Sequence, residues 1–257
     1  MSFTVQNVEF YLLVLLRISA FVMTAPFFSY STIPHQLKAA LSIMLTLIVL
    51  NTIPVVSLSY QGVFGYSVLV LKETVIGLIL GFMCSMCMYI ISFAGQMMDT
   101  EMGLAMSSMF DPLSNIQVTV TGNIYNYLIM LMLLVTNMHY YIIRAITDSF
   151  KMFNVGEGVF RTNAIKELAV DFMGNYFLIA FRIVLPVFCC MLLINVVLGV
   201  LTKAAPQMNM FVIGIQIKVF VGIILLVILV QTIPTVSDYI FKEMREVISQ
   251  VLKIFTP

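Results

Sequence analysis

An all-α, polytopic membrane protein is what this sequence predicts, and two observations predict it. Of its 257 residues, 61% are hydrophobic and only 10% are charged. With a mean hydropathy of +1.06, the chain carries more apolar surface than a soluble domain needs. The apolar residues are also gathered into six runs that approach the roughly 20 residues a helix needs to cross a bilayer. The runs are 10–28, 37–53, 63–93, 124–143, 172–201 and 211–233.

The first run carries Arg17. No Lys or Arg precedes it, Ala25 is followed by Pro26, and no A-x-A site appears, so the run is expected to be retained rather than cleaved as a leader. Thr32-Ile-Pro34 and Asn51-Thr-Ile-Pro54 mark the ends of the first two connections. The third run holds Lys72 and Glu73, and Gly77 and Gly81 form a G-x-x-x-G that allows close helix contact. The fifth run holds Arg182. Runs three and five are long enough to tilt, break or pass beyond the bilayer.

A charge at membrane depth costs several kcal/mol, so Arg17, Lys72, Glu73 and Arg182 are expected to face protein or water. Two readings stand: a buried pair or snorkelling anchor that completes the packing, and an ion path. The largest polar connection, 144–175, contains Gly156-Glu-Gly158 and predicts a turn followed by a short helix over 163–171. The last two runs form a hairpin across 201–218, with Lys203, Pro206, Gln207 and Lys218 around its turn. That tip is either an ordinary loop anchored by lysines or a docking site for another protein. With six spans, eight Lys and Arg fall on the side shared by both termini and three on the other, which predicts cytoplasmic termini.

Between runs three and four lies 95–122, around which the chain is organised. It holds Asp99, Glu101 and Asp111 and no Lys or Arg. Met98, Met102, Met106 and Met109 recur at helical spacing, which predicts a helix reaching Phe110 with a thioether stripe. Asp111-Pro112 stops it, because proline pushes the preceding residue out of the α region and lacks the N–H. Asp111 can then cap a new helix with Pro112 at its first position. The segment is either an amphipathic connector on the membrane surface or a bent, protein-buried loop that closes a pathway. Methionine suits a closure because its side chain is unbranched and adaptable.

Several function classes have no support. A net charge of +1 supplies no field for nucleic acid. No phosphate-binding G-x-x-x-x-G-K-[ST], H-E-x-x-H or G-x-S-x-G is present, so neither catalysis nor a cofactor is expected. Cys84, Cys87, Cys189 and Cys190 lie inside apolar runs without the spacing of a metal site and read as small apolar packing residues, and the two histidines, His35 and His139, are no basis for a metal site either. No clear inverted repeat is present.

Thr24-Ala-Pro-Phe-Phe28 with Ile33-Pro-His-Gln-Leu-Lys38 resembles the N-terminal signature of FliR-type flagellar export proteins. So do Gly95-Gln-Met-Met-Asp99, Glu101-Met-Gly103, Phe110-Asp-Pro112 and Ser114-Asn115. Asn137-Met-His139, Lys203-Ala-Ala-Pro-Gln207 and Met210-Phe-Val-Ile-Gly214 follow in the family's order. The resemblance covers nearly the whole chain, although 148–167 matches no family pattern. Virulence-type injectisomes have a similar counterpart, which remains the alternative, but the D-P-x-S-N loop and the N-x-H pattern look more like the flagellar branch.

The resemblance implies one integral domain over 1–257, in the bacterial inner membrane at the flagellar basal body. It would be a subunit of the export gate of the flagellar type III secretion system, helping to form and close a channel for unfolded flagellar proteins. Its partners would be FliP-type and FliQ-type gate subunits, FlhB-type and FlhA-type export proteins, the exported substrates, and lipid. Residues 1–175, with the central loop 95–122, resemble a FliP-type subunit; residues 176–257 resemble a FliQ-type hairpin whose tip faces FlhB-type and FlhA-type partners. The family builds a helical multi-subunit channel of long, partly broken helices and hairpins, much of it above the bilayer plane. Apolar helices here would then be buried against sister subunits rather than lipid. Met106, Met109, Phe110, Asp111, Pro112, Ser114 and Asn115 fall in the loop, 106–117, that would plug the pore. A secondary permease using Arg17, Glu73 or Arg182 is the rival from another class, and a membrane scaffold without a pore is a third reading.

Overall fold

The computed structural model describes residues 5–54, 56, 58, 60, 62–105, 119–205, 207 and 209–256. Among them are eight α-helices and no strand: α1 Val5–Thr24, α2 His35–Leu50, α3 Gly62–Met102, α4 Val120–Val135, α5 Met138–Met152, α6 Thr162–Ala204, α7 Met210–Leu229 and α8 Ile233–Phe255. A 3-10 turn, Val230–Thr232, joins the last two. The chain is all-α and polytopic, as its composition predicts.

The described helices able to cross a bilayer are fewer than six. Among the described residues, four helical stretches are long and apolar enough to span, or up to five if the bent α4–α5 pair is one span. Run two is a helix of only 16 residues, about 24 Å at 1.5 Å per residue and short of a ~30 Å hydrocarbon core. Run four bends by 70° between α4 and α5. Asn137, at φ 57°, takes the left-handed turn there, a conformation asparagine tolerates better than most residues. Beyond it α5 is amphipathic, burying Met138, Ile142, Ala145, Ile146, Ser149 and Phe150 at helical spacing. The expectation of cytoplasmic termini rested on a charge tally over six crossings.

Two other elements differ from the sequence reading. The predicted short helix over 163–171 is the first part of α6, which continues unbroken for 43 residues. Nothing in 162–173 stops a helix, and a lone Gly174 is tolerated inside one. Pro186 sits within α6 and removes the hydrogen bond that Arg182's carbonyl would otherwise accept. The helix predicted to reach Phe110 ends at Met102. Gly103 adopts φ +81°, its N–H donates to Thr100 O at 3.2 Å, and that of Ala105 donates to Asp99 O at 3.2 Å. Two carbonyls left over at the helix end are thereby satisfied. Met98 and Met102, the described members of the methionine stripe, are buried core residues.

The chain forms two compact units. One gathers Met1–Cys87, Thr136–Met173 and Phe241–Pro257; the other gathers Met88–Val135 and Gly174–Ile240.

In the first unit, α1 and α2 pack together, and α1 lies against α3 across Gly77 and Gly81. A Cβ at Gly77 would overlap the Arg17 carbonyl, and one at Gly81 would overlap the Thr24 hydroxyl. The Ser85 hydroxyl donates to the Thr24 carbonyl at the same seam. Lys38, 5% exposed, donates from Nζ to the Ser29 carbonyl at 3.0 Å. The C-terminal part of α8 completes this unit, burying Phe241, Met244, Val247, Ile248, Val251, Leu252 and Phe255.

In the second unit, α3 and α4 meet at Gly95 and Gly122, where a Cβ on Gly95 would overlap the Gly122 backbone. Met102 fills the space beside Gly222 of α7. Helices α6 and α7 form the predicted hairpin, in contact near Leu198 and Gly214.

Candidate functional site

A buried polar node occupies the first unit. Arg17 of α1 and Glu73 of α3, both fully buried, pair through Nε and Oε2 at 2.5 Å. Arg17 Nη1 donates to the Ser149 hydroxyl of α5 at 3.2 Å. The guanidinium lies over the rings of Phe150 at 4.2 Å and Phe153 at 4.6 Å, whose electron-rich faces attract a cation. Its Nη2 has no acceptor among the described residues. Glu73 Oε1 accepts the Gly156 N–H at 2.8 Å. The carboxylate is thus neutralised and bonded on both oxygens, which is what a buried charge requires. Lys72, one residue and so about 100° further around the helix, is half-buried.

A second polar cluster lies at the base of the central loop, in the second unit. Asp99, 3% exposed, accepts the Thr121 N–H at 3.2 and 3.3 Å through its two oxygens. Thr121 sits in the first turn of α4, where N–H groups have no partner within the helix and a negative charge is favourable. Asn126 donates to Ser92 Oγ at 2.9 Å. With the Gly95–Gly122 contact, these bonds clasp the segments that enter and leave the loop. Asp99 was legible as a carboxylate in an important stretch, but not as the cap of a helix that begins 21 residues later.

The loop itself lies outside the described residues, and with it Met106, Met109, Phe110, Asp111, Pro112, Ser114 and Asn115. At the hairpin end, Lys203 and Gln207 are exposed and Lys218 is half-buried, while Pro206 lies outside the described residues. Lys203 is in the last turn of α6, where a cation complements the helix dipole. Arg182 is exposed on α6, far in character from the Arg17–Glu73 pair. Cys84 and Cys87 are buried, Cys190 is half-buried and Cys189 is exposed.

One further polar contact had no sequence signal. Tyr60, before α3, donates to Glu9 Oε2 at 2.5 Å. Donating to that carboxylate holds the phenol's ionisation above its ordinary range, since a phenolate there would lose the bond and face a like charge.

Comparison with known proteins agrees with the resemblance. The profile of the bacterial export proteins, family 1, matches residues 8–244. A flagellar biosynthetic protein FliR of Pectobacterium carotovorum is 31% identical over 241 residues, covering 92% of this chain and 90% of the relative. FliR of Escherichia coli K12 is 29% identical over 239 residues, covering 93% and 90%. FliR of Bacillus subtilis 168 is 27% identical over 249 residues, covering 95% of each. The match runs from α1 into α8, through both polar clusters and the loop between them, and on it this chain belongs to the bacterial export proteins of family 1, of the FliR type.

Proposed function

We propose that this chain is a non-enzymatic subunit of the flagellar type III export gate, a multi-pass protein of the bacterial inner membrane at the base of the flagellum. The observation that carries this is the similarity over more than nine-tenths of the chain to relatives named flagellar biosynthetic protein. In this reading it helps to form and close the channel through which unfolded flagellar proteins leave the cell. FliP-type and FliQ-type subunits complete the channel, and FlhB-type and FlhA-type proteins work beside it. The 106–117 loop is the idle-state seal.

The outer faces of α6 and α7 support a multi-subunit reading. Leu193, Val196, Phe220 and Val227 are each at least 66% exposed in the isolated chain. An apolar surface of that kind is covered in the working protein by lipid or by other chains. Expressed alone, the protein should accumulate poorly in membranes. Co-expression with FliP-type and FliQ-type subunits should restore it, and tagging it in its own host should bring those subunits through mild-detergent purification. A stable, monodisperse monomer that transports solute in liposomes would instead favour a permease.

The hairpin end supplies the partner-facing surface in this reading. Reversing both Lys203 and Lys218 to Glu should weaken co-purification of an FlhB-type partner while gate assembly persists. A surface charge such as Lys203 contributes about 1 kcal/mol or less, and with the half-buried Lys218 the pair should change affinity by roughly tenfold. Full recovery of the partner together with normal swimming would remove the hairpin end from the docking surface.

A further inference from the structure

The two oxygens of Glu73 serve two different elements, and the second leads away from the ion pair. Oε2 holds Arg17. Oε1 holds the Gly156 N–H, in the 153–160 loop between α5 and α6. Gly156 is at φ +86°, a conformation that glycine adopts without strain. Further along this loop, the Val159 N–H donates to the Phe255 carbonyl at 3.2 Å, in the last turn of α8. The Phe255 ring packs against Phe153 at 6.2 Å and Phe160 at 5.1 Å, and the Phe153 ring also faces the Arg17 guanidinium. A continuous series of contacts therefore runs from α1 through α3 and the loop to the end of α8.

Buried ion pairs seldom add net stability, because desolvation consumes most of the Coulombic gain, and apolar replacements of similar size are often neutral. What such a pair can supply is a single arrangement. Apolar packing tolerates small shifts of a loop, whereas a carboxylate oxygen accepts an N–H only over a narrow range of distance and angle. The element at the far end has a reason to need one place. On α8, Lys242, Arg245, Glu246, Ser249, Gln250 and Lys253 form an exposed polar face opposite the buried one.

We propose that Arg17 and Glu73 are positioning residues for export: they fix the 153–160 loop and, through it, the end of α8 and its charged face, and they are dispensable for folding once replaced together. Swimming as a readout rests on the export function proposed above. Hydrogen exchange does not, so the failure of one reading can be told from the failure of the other.

The test compares Arg17→Met, Glu73→Leu, the double variant and Val159→Pro, each produced with its partner subunits. Either single replacement leaves an uncompensated buried charge, and membrane accumulation should fall by about tenfold or more. The double variant should accumulate within about twofold of the parent, yet its amides in 153–160 and 249–255 should exchange about tenfold faster and swimming should be lost. Val159→Pro leaves both residues of the ion pair in place and removes the N–H that holds Phe255, besides fixing the local backbone. It should speed exchange in 249–255 and lose swimming as well. A double variant that fails to accumulate would overturn the proposal, since the pair would then be a requirement of folding. So would a double variant or Val159→Pro that accumulates, swims like the parent and exchanges at the parent's rate. Faster exchange with normal swimming would overturn the link to export while leaving the link to the loop.

Discussion

A gate lacking residues 107–115 should assemble and leak. A channel wide enough for an unfolded chain has to exclude ions when idle, and hydrophobic constrictions do so by expelling water. In the function proposed above, Met106, Met109 and Phe110 would offer a deformable apolar closure, and an Asp-Pro sequence disfavours a continuous helix, which would let the segment turn across a pathway. Irregular backbone at membrane depth persists only where it is buried in protein or lines a cavity. The described flanks fit a loop that can be removed without unfolding its supports. Gly103 ends α3 in a left-handed turn, and the Asp99–Thr121 bonds and the Gly95–Gly122 contact hold the two flanks together. Cells or proteoliposomes carrying the deletion should show a large rise in small-ion conductance over the intact assembly. Replacing only Met106, Met109 and Phe110 with Ser should give a smaller rise, because polar side chains wet the constriction without opening it. A deletion that assembles and stays ion-tight would assign closure to another element.

Replacing Gly95 with Leu should be among the most damaging single substitutions in the second unit. Its Cβ would overlap the backbone of Gly122, not the end of a flexible side chain, so α3 and α4 have to separate. Overpacking typically costs about 1–3 kcal/mol where side chains can yield, and backbone yields less readily. Loss of that size in a membrane subunit lowers abundance several-fold. Asp99→Ala should be intermediate, because it leaves the buried Thr121 N–H without its acceptor, a loss of about 1–3 kcal/mol. Asp99→Asn keeps an acceptor oxygen and gives up only the charge at the start of α4, about 0.3–1 kcal/mol. Abundance in membranes, measured by immunoblot with the partner subunits present, should therefore fall in the order Asn, Ala, Leu. Parent-like abundance and swimming for Gly95→Leu would show that the two helices are not held at this contact in the assembled gate.

The family relationship was legible because its signals are local and ordered along the chain, from Thr24-Ala-Pro through Gly95-Gln-Met-Met-Asp99 to Lys203-Ala-Ala-Pro-Gln207. The site was legible only in part. Arg17 and Glu73 stood out as charges in apolar runs. Ser149 did not, and Gly156 stood out only as part of a turn; neither was legible as a partner, since they lie 132 and 83 residues away in sequence and no periodic pattern links them.

By itself the sequence determined the helical membrane class, since composition and run length are sums over neighbouring residues and need no knowledge of contacts. It also marked Gly77 and Gly81, which the structure places at the α1–α3 seam, and the hairpin between α6 and α7. Only the tertiary structure decided how many helices are long enough to span. Run two is too short, run four bends at Asn137, and α6 continues through the polar 162–173 segment, features of the folded backbone that hydropathy does not register. Tertiary structure also decided which charges neutralise one another. Arg17 finds Glu73 while Arg182 stays on an exposed face, because pairing depends on which helix faces meet, and a hydropathy run reads the same whichever way its faces turn.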